Sequence, residues 1–321
     1  MRNLNMFLRL LVWTALAAYR GAPTCDGFNV DVKFPVVKQG KTAGSLFGFS
    51  VALHRQTKGS DRYLLLVGAP KEKADSLPNV NETGAVYACP ISEDPTDCTR
   101  ISLITSRKDD AQLPDRITCT GACGWGVTVA SQRSLKEGRV LACGHRYVKI
   151  SIGQWRMIGK CYVRSNDLTL DNSDDWQADT YERCNPANDH KKDGVCNLGI
   201  SGGITETDVV LGTPGSYNWK GNVHLTWRDP NPDNFGNIIQ KTIADENKNN
   251  IYIGYSVLEE RKLLSRDHHT VVTGSPRDES KGSVMLGEQT QDKIQIIQTI
   301  LGEQVGSYFG SSLAATDLNN D

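Results

Sequence analysis

Residues 196–223 read CNLGISGGITETDVVLGTPGSYNWKGNV, and the punctuation of this stretch decides the fold. Leu198-Gly199 leads into a short strand. The β-branched run Val209-Val210-Leu211 ends in the turn Gly212-Thr213-Pro214, and Gly221-Asn222-Val223-His224-Leu225 opens another alternating strand. Short runs rich in Val, Ile and Thr, separated by Gly and Pro, predict antiparallel strands joined by tight turns. Glycine at these joints predicts positive φ or close strand approach, where a Cβ would clash.

Working outward, the same three-part unit recurs. Upstream it reads Phe47-Gly48-Phe49-Ser50-Val51, then Leu64-Leu65-Leu66-Val67-Gly68-Ala69-Pro70, then Gly84-Ala85-Val86-Tyr87. A degenerate copy runs from Trp125-Gly126-Val127 through Val140-Leu141-Ala142-Cys143-Gly144 to Gly159-Lys160-Cys161. Downstream come Ile253-Gly254-Tyr255-Ser256-Val257, then Val271-Val272-Thr273-Gly274-Ser275-Pro276, then Gly282-Ser283-Val284. Phe309-Gly310-Ser311 begins a fifth copy. Repeats therefore begin near 47, 125, 198, 253 and 309. Spacings of roughly 55 to 80 residues, with about four strands each, predict an all-β fold made of β-propeller blades. One blade cannot bury both faces, so stacking against its neighbours supplies the core.

The first 27 residues predict a secretory signal peptide: Arg2, an apolar run from Met6 to Ala18 broken only by Arg9, then small residues. No other stretch approaches the ~18–20 apolar residues of a membrane span. A formal net charge of −1 with interspersed signs gives no footprint for nucleic acid. The repeats assign residues 28–321 to one domain.

Nine cysteines behind a signal peptide predict disulfides. The local pairs are Cys89 with Cys98, Cys143 with Cys161, and Cys184 with Cys196. Cys119 and Cys123 are left over, either paired or free, and Cys25 lies near the cleavage region. A zinc finger is disfavoured, since Cys119-x3-Cys123 has neither a second CxxC nor a paired histidine motif. Asn81-Glu82-Thr83 is a glycosylation sequon, consistent with a secreted route.

Two long excursions interrupt the blades. Residues 165–193 are acidic and polar, with Asp171, Asp174, Asp175 and Asp179, and read as a solvated loop. Residues 227–250 contain Pro230, Pro232 and an Asn-rich end, which argue against a regular strand, while Ile238-Ile239 pack on the blade surface. Long loops on a rigid scaffold are where binding concentrates. Near residue 321, Asp317, Asn319 and Asp321 place oxygen ligands at alternate positions, the opening half of a Ca²⁺ loop.

The Phe-Gly and Gly-Ala-Pro repeats, the Asp317-x-Asn319-x-Asp321 start and the cysteine spacing together resemble the N-terminal β-propeller of integrin α subunits. The segments 45–56 (SLFGFSVALHRQ), 215–221 (GSYNWKG) and 143–147 (CGHRY) are most similar to the laminin-binding branch, which lacks an inserted I domain. The resemblance runs from about Phe28 to Asp321. It implies a partial seven-bladed β-propeller, with about four and a half blades present.

This resemblance implies a cell-surface adhesion receptor, on the extracellular side of a type I membrane protein. Its implied partners are an integrin β subunit and an extracellular-matrix ligand such as laminin. In the family, a cationic side chain of the β subunit enters a central hole lined by aromatic residues. Here Phe49 and Tyr255 match, with Trp125 one position earlier in its repeat, while Ile200 and Ser311 occupy the corresponding places in repeats three and five. The connection between blades three and four shapes ligand choice in that branch, which nominates Trp227, Asp233, Asn234, Phe235 and Asn237. The implied cofactor is Ca²⁺. The sequence Glu259-Glu260-Arg261-Lys262-Leu263 departs from the calcium motif that some relatives carry in the fourth blade.

An enzyme is the rival class, because some secreted phospholipases carry similar repeats. No HExxH helix or phosphate loop is present, and the string Gly199-Ile200-Ser201-Gly202-Gly203 leads into a strand of the repeat rather than from a strand into a helix, as a nucleophile elbow would. The pair His268-His269 would point to opposite strand faces. A carbohydrate-binding propeller would need similar pockets in every blade, and the loops here differ too much.

Overall fold

The computed structural model describes residues 35–73, 82–103, 122–133, 136–179, 181–229, 236–243, 247–265 and 268–316. The first repeat forms β1 (Ser50–Gln56), β2 (Arg62–Ala69), β3 (Glu82–Pro90) and the short β4 (Thr99–Arg100). The second forms β5 (Ala122–Ser131), β6 (Val140–Gly144), a separate hairpin of β7 (Val148–Ser151) and β8 (Gln154–Met157), and β9 (Lys160–Arg164). The third contains β10 (Gly202–Ile204), β11 (Asp208–Gly212), β12 (Val223–Arg228) and β13 (Ile238–Thr242). The fourth contains β14 (Ser256–Arg261), β15 (His269–Ser275), β16 (Ser283–Gln289) and β17 (Ile294–Leu301). The third and fourth sheets are antiparallel meanders in chain order, β10-β11-β12-β13 and β14-β15-β16-β17. This is the connectivity of propeller blades.

Neighbouring blades are joined by one contact used four times. The glycine opening the third strand of a blade forms a parallel bridge to the residue just before the next marker glycine. Gly84 meets Trp125, Gly159 meets Leu198, Gly221 meets Ile253 and Gly282 meets Phe309. A Cβ on Gly221 would lie 2.1 Å from the Ile253 carbonyl oxygen, so only glycine permits this approach. A hydroxyl near the start of the first strand adds a second tie in the first, third and fourth blades. Ser50 donates to the Gly126 carbonyl at 2.8 Å, Ser201 to Gly254 at 2.9 Å and Ser256 to Gly310 at 2.6 Å.

The core lies between blades. Leu64, Leu66 and Val86 of the first pack with Val127, Val129 and Leu141 of the second, and these continue into Leu198, Val209 and Leu211 of the third. Val210, Val223 and Leu225 then meet Ile253, Val271 and Met285 of the fourth. Each such side chain, fully buried, contributes about 1.5–3 kcal/mol.

Two sequence expectations fail. Residues 165–193 are not a solvated loop: Trp176, Tyr181 and Cys184 are buried in the main core. Asp174, Asp175 and Asp179 pair with arginines, two of which, Arg139 and Arg228, come from elsewhere in the fold. Asp174 caps the short helix α1 (Asp175–Ala178) and pairs with Arg139 at 2.8 Å. Asp179 pairs with Arg183 at 2.5 Å and with the buried Arg228 at 2.8 Å. Burial alone would raise the Asp179 carboxyl, but these guanidinium groups hold it below its ordinary range. The second failure is β13, a regular outer strand in which Ile238 pairs with Arg228 and Thr242 with His224. Pro230 and Pro232 lie upstream of it and so remove none of its ladder donors.

The structure contains the disulfides Cys89–Cys98, Cys143–Cys161 and Cys184–Cys196. Cys143 and Cys161 are direct cross-strand partners of β6 and β9. Cys123 is also disulfide-bonded.

Candidate functional site: the cavity at the marker glycines

Each marker glycine adopts the same left-handed conformation, with φ of 90° at Gly48, 88° at Gly126, 86° at Gly199 and 85° at both Gly254 and Gly310. The residue two positions earlier is also left-handed: Leu46, Gly124, Asn197, Tyr252 and Tyr308. The next residue's amide closes the turn, as Phe49 N–H does on the Leu46 carbonyl at 3.0 Å and Tyr255 N–H on Tyr252 at 3.1 Å. Five copies of one turn thus send the residue after the glycine in one direction.

Those residues converge on a cavity of about 430 Å³ lined by Phe49, Val127, Ile200, Tyr255 and Ser311. Phe49 is 57% exposed and Tyr255 36%, so both rings are available to a ligand. Among the described residues, His145 is the one other titratable group in the lining besides Tyr255, and burial lowers its pKa to about 4, leaving it neutral. The cavity therefore carries aromatic faces and hydroxyls without a formal charge at neutral pH. Such a wall attracts a cation through the ring quadrupoles and offers no competing ion pair.

Trp125 does not belong to this set. It precedes its glycine, and that position points into the seam between blades, as it does for Leu198 and Ile253. Trp125 is 2% exposed and stacks on Tyr162 with ring centroids 5.0 Å apart. Val127 stands in its place at the cavity, a position the turn register could have supplied from sequence. His145 was missed because nothing in its local sequence reveals where the turn after β6 ends.

Of the residues between blades three and four, Trp227 lies on β12 against the core between those blades. Asn237 donates to Asp229 at 3.3 Å. Asp233, Asn234 and Phe235 lie outside the described residues, as do Asn81 and the set Asp317, Asn319 and Asp321.

No family model matches the chain. It is 46% identical over 301 residues to integrin alpha-3 of Mus musculus, an alignment covering 92% of this chain and 27% of that protein. It is 34% identical to integrin alpha-6 of Gallus gallus, covering 92% of this chain and 28% of the relative. Integrin alpha-7 of Rattus norvegicus is also 34% identical, over 93% of this chain and 27% of the relative. The chain thus spans about a quarter of the length of these relatives. With one blade-joining turn repeated five times and this similarity along nearly its whole length, the chain belongs to the integrin α-subunit family, as a β-propeller portion of such a subunit.

Proposed function

We propose that the chain forms part of the ligand-binding head of a cell-surface adhesion receptor, pairing with an integrin β subunit and binding a laminin-like matrix protein. The uncharged cavity bearing Phe49 and Tyr255 carries this reading, because it fits a single lysine or arginine side chain from a partner. The matrix ligand then docks where the two subunits meet, with residues 227–250 of the α chain tuning the choice. Asp317, Asn319 and Asp321 begin a Ca²⁺ loop that stiffens the opposite face. The exposed apolar strands at either side, with Val51 and Leu53 on β1 and Ile297 and Ile300 on β17, are where adjacent blades pack in a closed propeller.

No helix among the described residues is long and apolar enough to cross a membrane. The relatives quoted above are integrin subunits, which leaves the phospholipase-like and carbohydrate-binding alternatives without support.

Cell adhesion tests the ligand. Cells displaying the receptor that contains this chain are expected to attach to laminin in the presence of divalent cations, and to lose attachment when residues 230–236, between β12 and β13, are replaced by a Gly-Ser linker. Equal attachment to laminin and to an uncoated surface would overturn the matrix assignment.

A further inference from the structure

Asp208, Glu259 and His269 are distant in sequence and meet where the third blade faces the fourth. Asp208 opens β11, while Glu259 on β14 and His269 on β15 are diagonal neighbours on one ladder, since Glu259 pairs with Val271. One ligand atom from each residue lies within 4.8 Å of the others. Asp208 is 2% exposed and Glu259 7%.

Each carboxylate uses one oxygen for protein donors. Thr207 donates to Asp208 Oδ2 at 2.6 Å, and Gln289 donates to Glu259 Oε1 at 2.7 Å, with His269 Nδ1 3.0 Å from the same atom. The other oxygens, Asp208 Oδ1 and Glu259 Oε2, are buried and accept no hydrogen bond. An unsatisfied buried acceptor costs about 1–3 kcal/mol, and more when charged. Among the described residues, no guanidinium or ammonium bonds to either carboxylate. Arg261 bonds to Glu206 and to His269 Nε2, and Lys241 to Gln289.

We propose that Asp208, Glu259 and His269 bind a divalent transition cation of the zinc class, clipping the third blade to the fourth. Two carboxylates and a dication are neutral together, which removes the charge imbalance and satisfies both bare oxygens. An imidazole ligand disfavours Ca²⁺ and Mg²⁺, which take oxygen donors, and suits zinc. Glu259 and His269 line a second cavity of about 460 Å³, so a fourth position is open to water. On binding, the neutral His269 ring changes tautomer through solvent: Nδ1 gives up its proton, Nε2 takes one up, and the exposed Arg261 withdraws to Glu206.

The test strips the 321-residue chain with a chelator, then titrates ZnCl₂ against a chromophoric competitor in excess Ca²⁺, which saturates oxygen-only sites. One zinc per chain is expected, with X-ray absorption showing one imidazole among oxygen ligands. Glu259→Gln and His269→Gln should each weaken binding by at least about 10–100-fold, the range for disturbing even outer partners of a metal site. Arg261→Gln should not weaken it. Circular dichroism identifies any variant that fails to fold, and the imidazole count on the unmodified chain decides the matter in that case. No bound zinc, zinc without an imidazole ligand, or equal affinity in folded variants would overturn the proposal.

Discussion

The inter-blade glycines make a demanding test of how the blades are held. A Cβ on Gly212 would lie 1.9 Å from the Gly254 carbonyl oxygen and 2.5 Å from Ser201 Oγ. Gly68 and Gly274 stand in the same relation to Gly126 and Gly310, at 1.9 and 1.7 Å. Ordinary contact begins at 3.4 Å, so Gly212→Ala must move one blade from the next by roughly 1.5 Å, with loss of packing on both sides. Overpacking of this kind costs about 1–3 kcal/mol. Displacing Ser201 from the Gly254 carbonyl adds about 1 kcal/mol, for a total of about 2–4 kcal/mol. In a chain of this size that lowers Tm by roughly 3–6 °C. Gly203→Ala is the internal control, because its nearest neighbour, Val210 Cγ1, would be at 3.4 Å. It should change stability by less than about 0.5 kcal/mol. Thermal melts of the two secreted variants decide. If they melt together, the glycine contacts do not hold the blades, and the reasoning fails.

Arg228→Met leaves Asp175 without its guanidinium partner and removes one of the two guanidinium groups paired with Asp179. It should cost about 3–5 kcal/mol, read by urea unfolding; an unchanged midpoint would refute the buried network. Replacing both Cys143 and Cys161 by Ser opens an 18-residue link and should cost about 3 kcal/mol, measured the same way. Burial lowers His145 and His224 from 6.5 to about 4. The unfolded chain therefore binds protons that the folded chain refuses between those values. Stability should be full above pH 6.5 and fall as pH drops toward 4. His224→Gln should flatten that slope, and an identical pH profile would count against the burial argument.

The repeat was legible because it is written in single residues: a glycine at each left-handed turn and at each close approach, followed by a β-branched run. The resemblance to integrin α propellers, read through that pattern, nominated Phe49 and Tyr255, and both line the cavity. It misplaced Trp125 because an aromatic one position early looks like a shifted cavity residue, whereas the turn aims it into the seam. Residues 165–193 were misread because their partners are distant. The Asn166 amide donates to the Arg55 carbonyl at 2.9 Å and accepts from Thr57 N–H at 2.6 Å, across more than half the first two blades. Arg228 likewise reaches back to Asp175 and Asp179. Local composition gives acidity, and only tertiary contact reveals that the acidity is paired. The Asp208, Glu259 and His269 cluster was hidden for the same reason.

The central claim is that the cavity at the marker glycines receives a cationic side chain of an integrin β subunit. Its most direct test is the affinity of the α chain for a β-subunit head, with Phe49→Ala, Tyr255→Ala and the exposed hairpin variant Ile152→Ala measured side by side. Each ring is expected to contribute about 1–2 kcal/mol, so each cavity variant should weaken association roughly tenfold, while Ile152→Ala leaves it unchanged. Association that ignores both cavity substitutions would contradict the account.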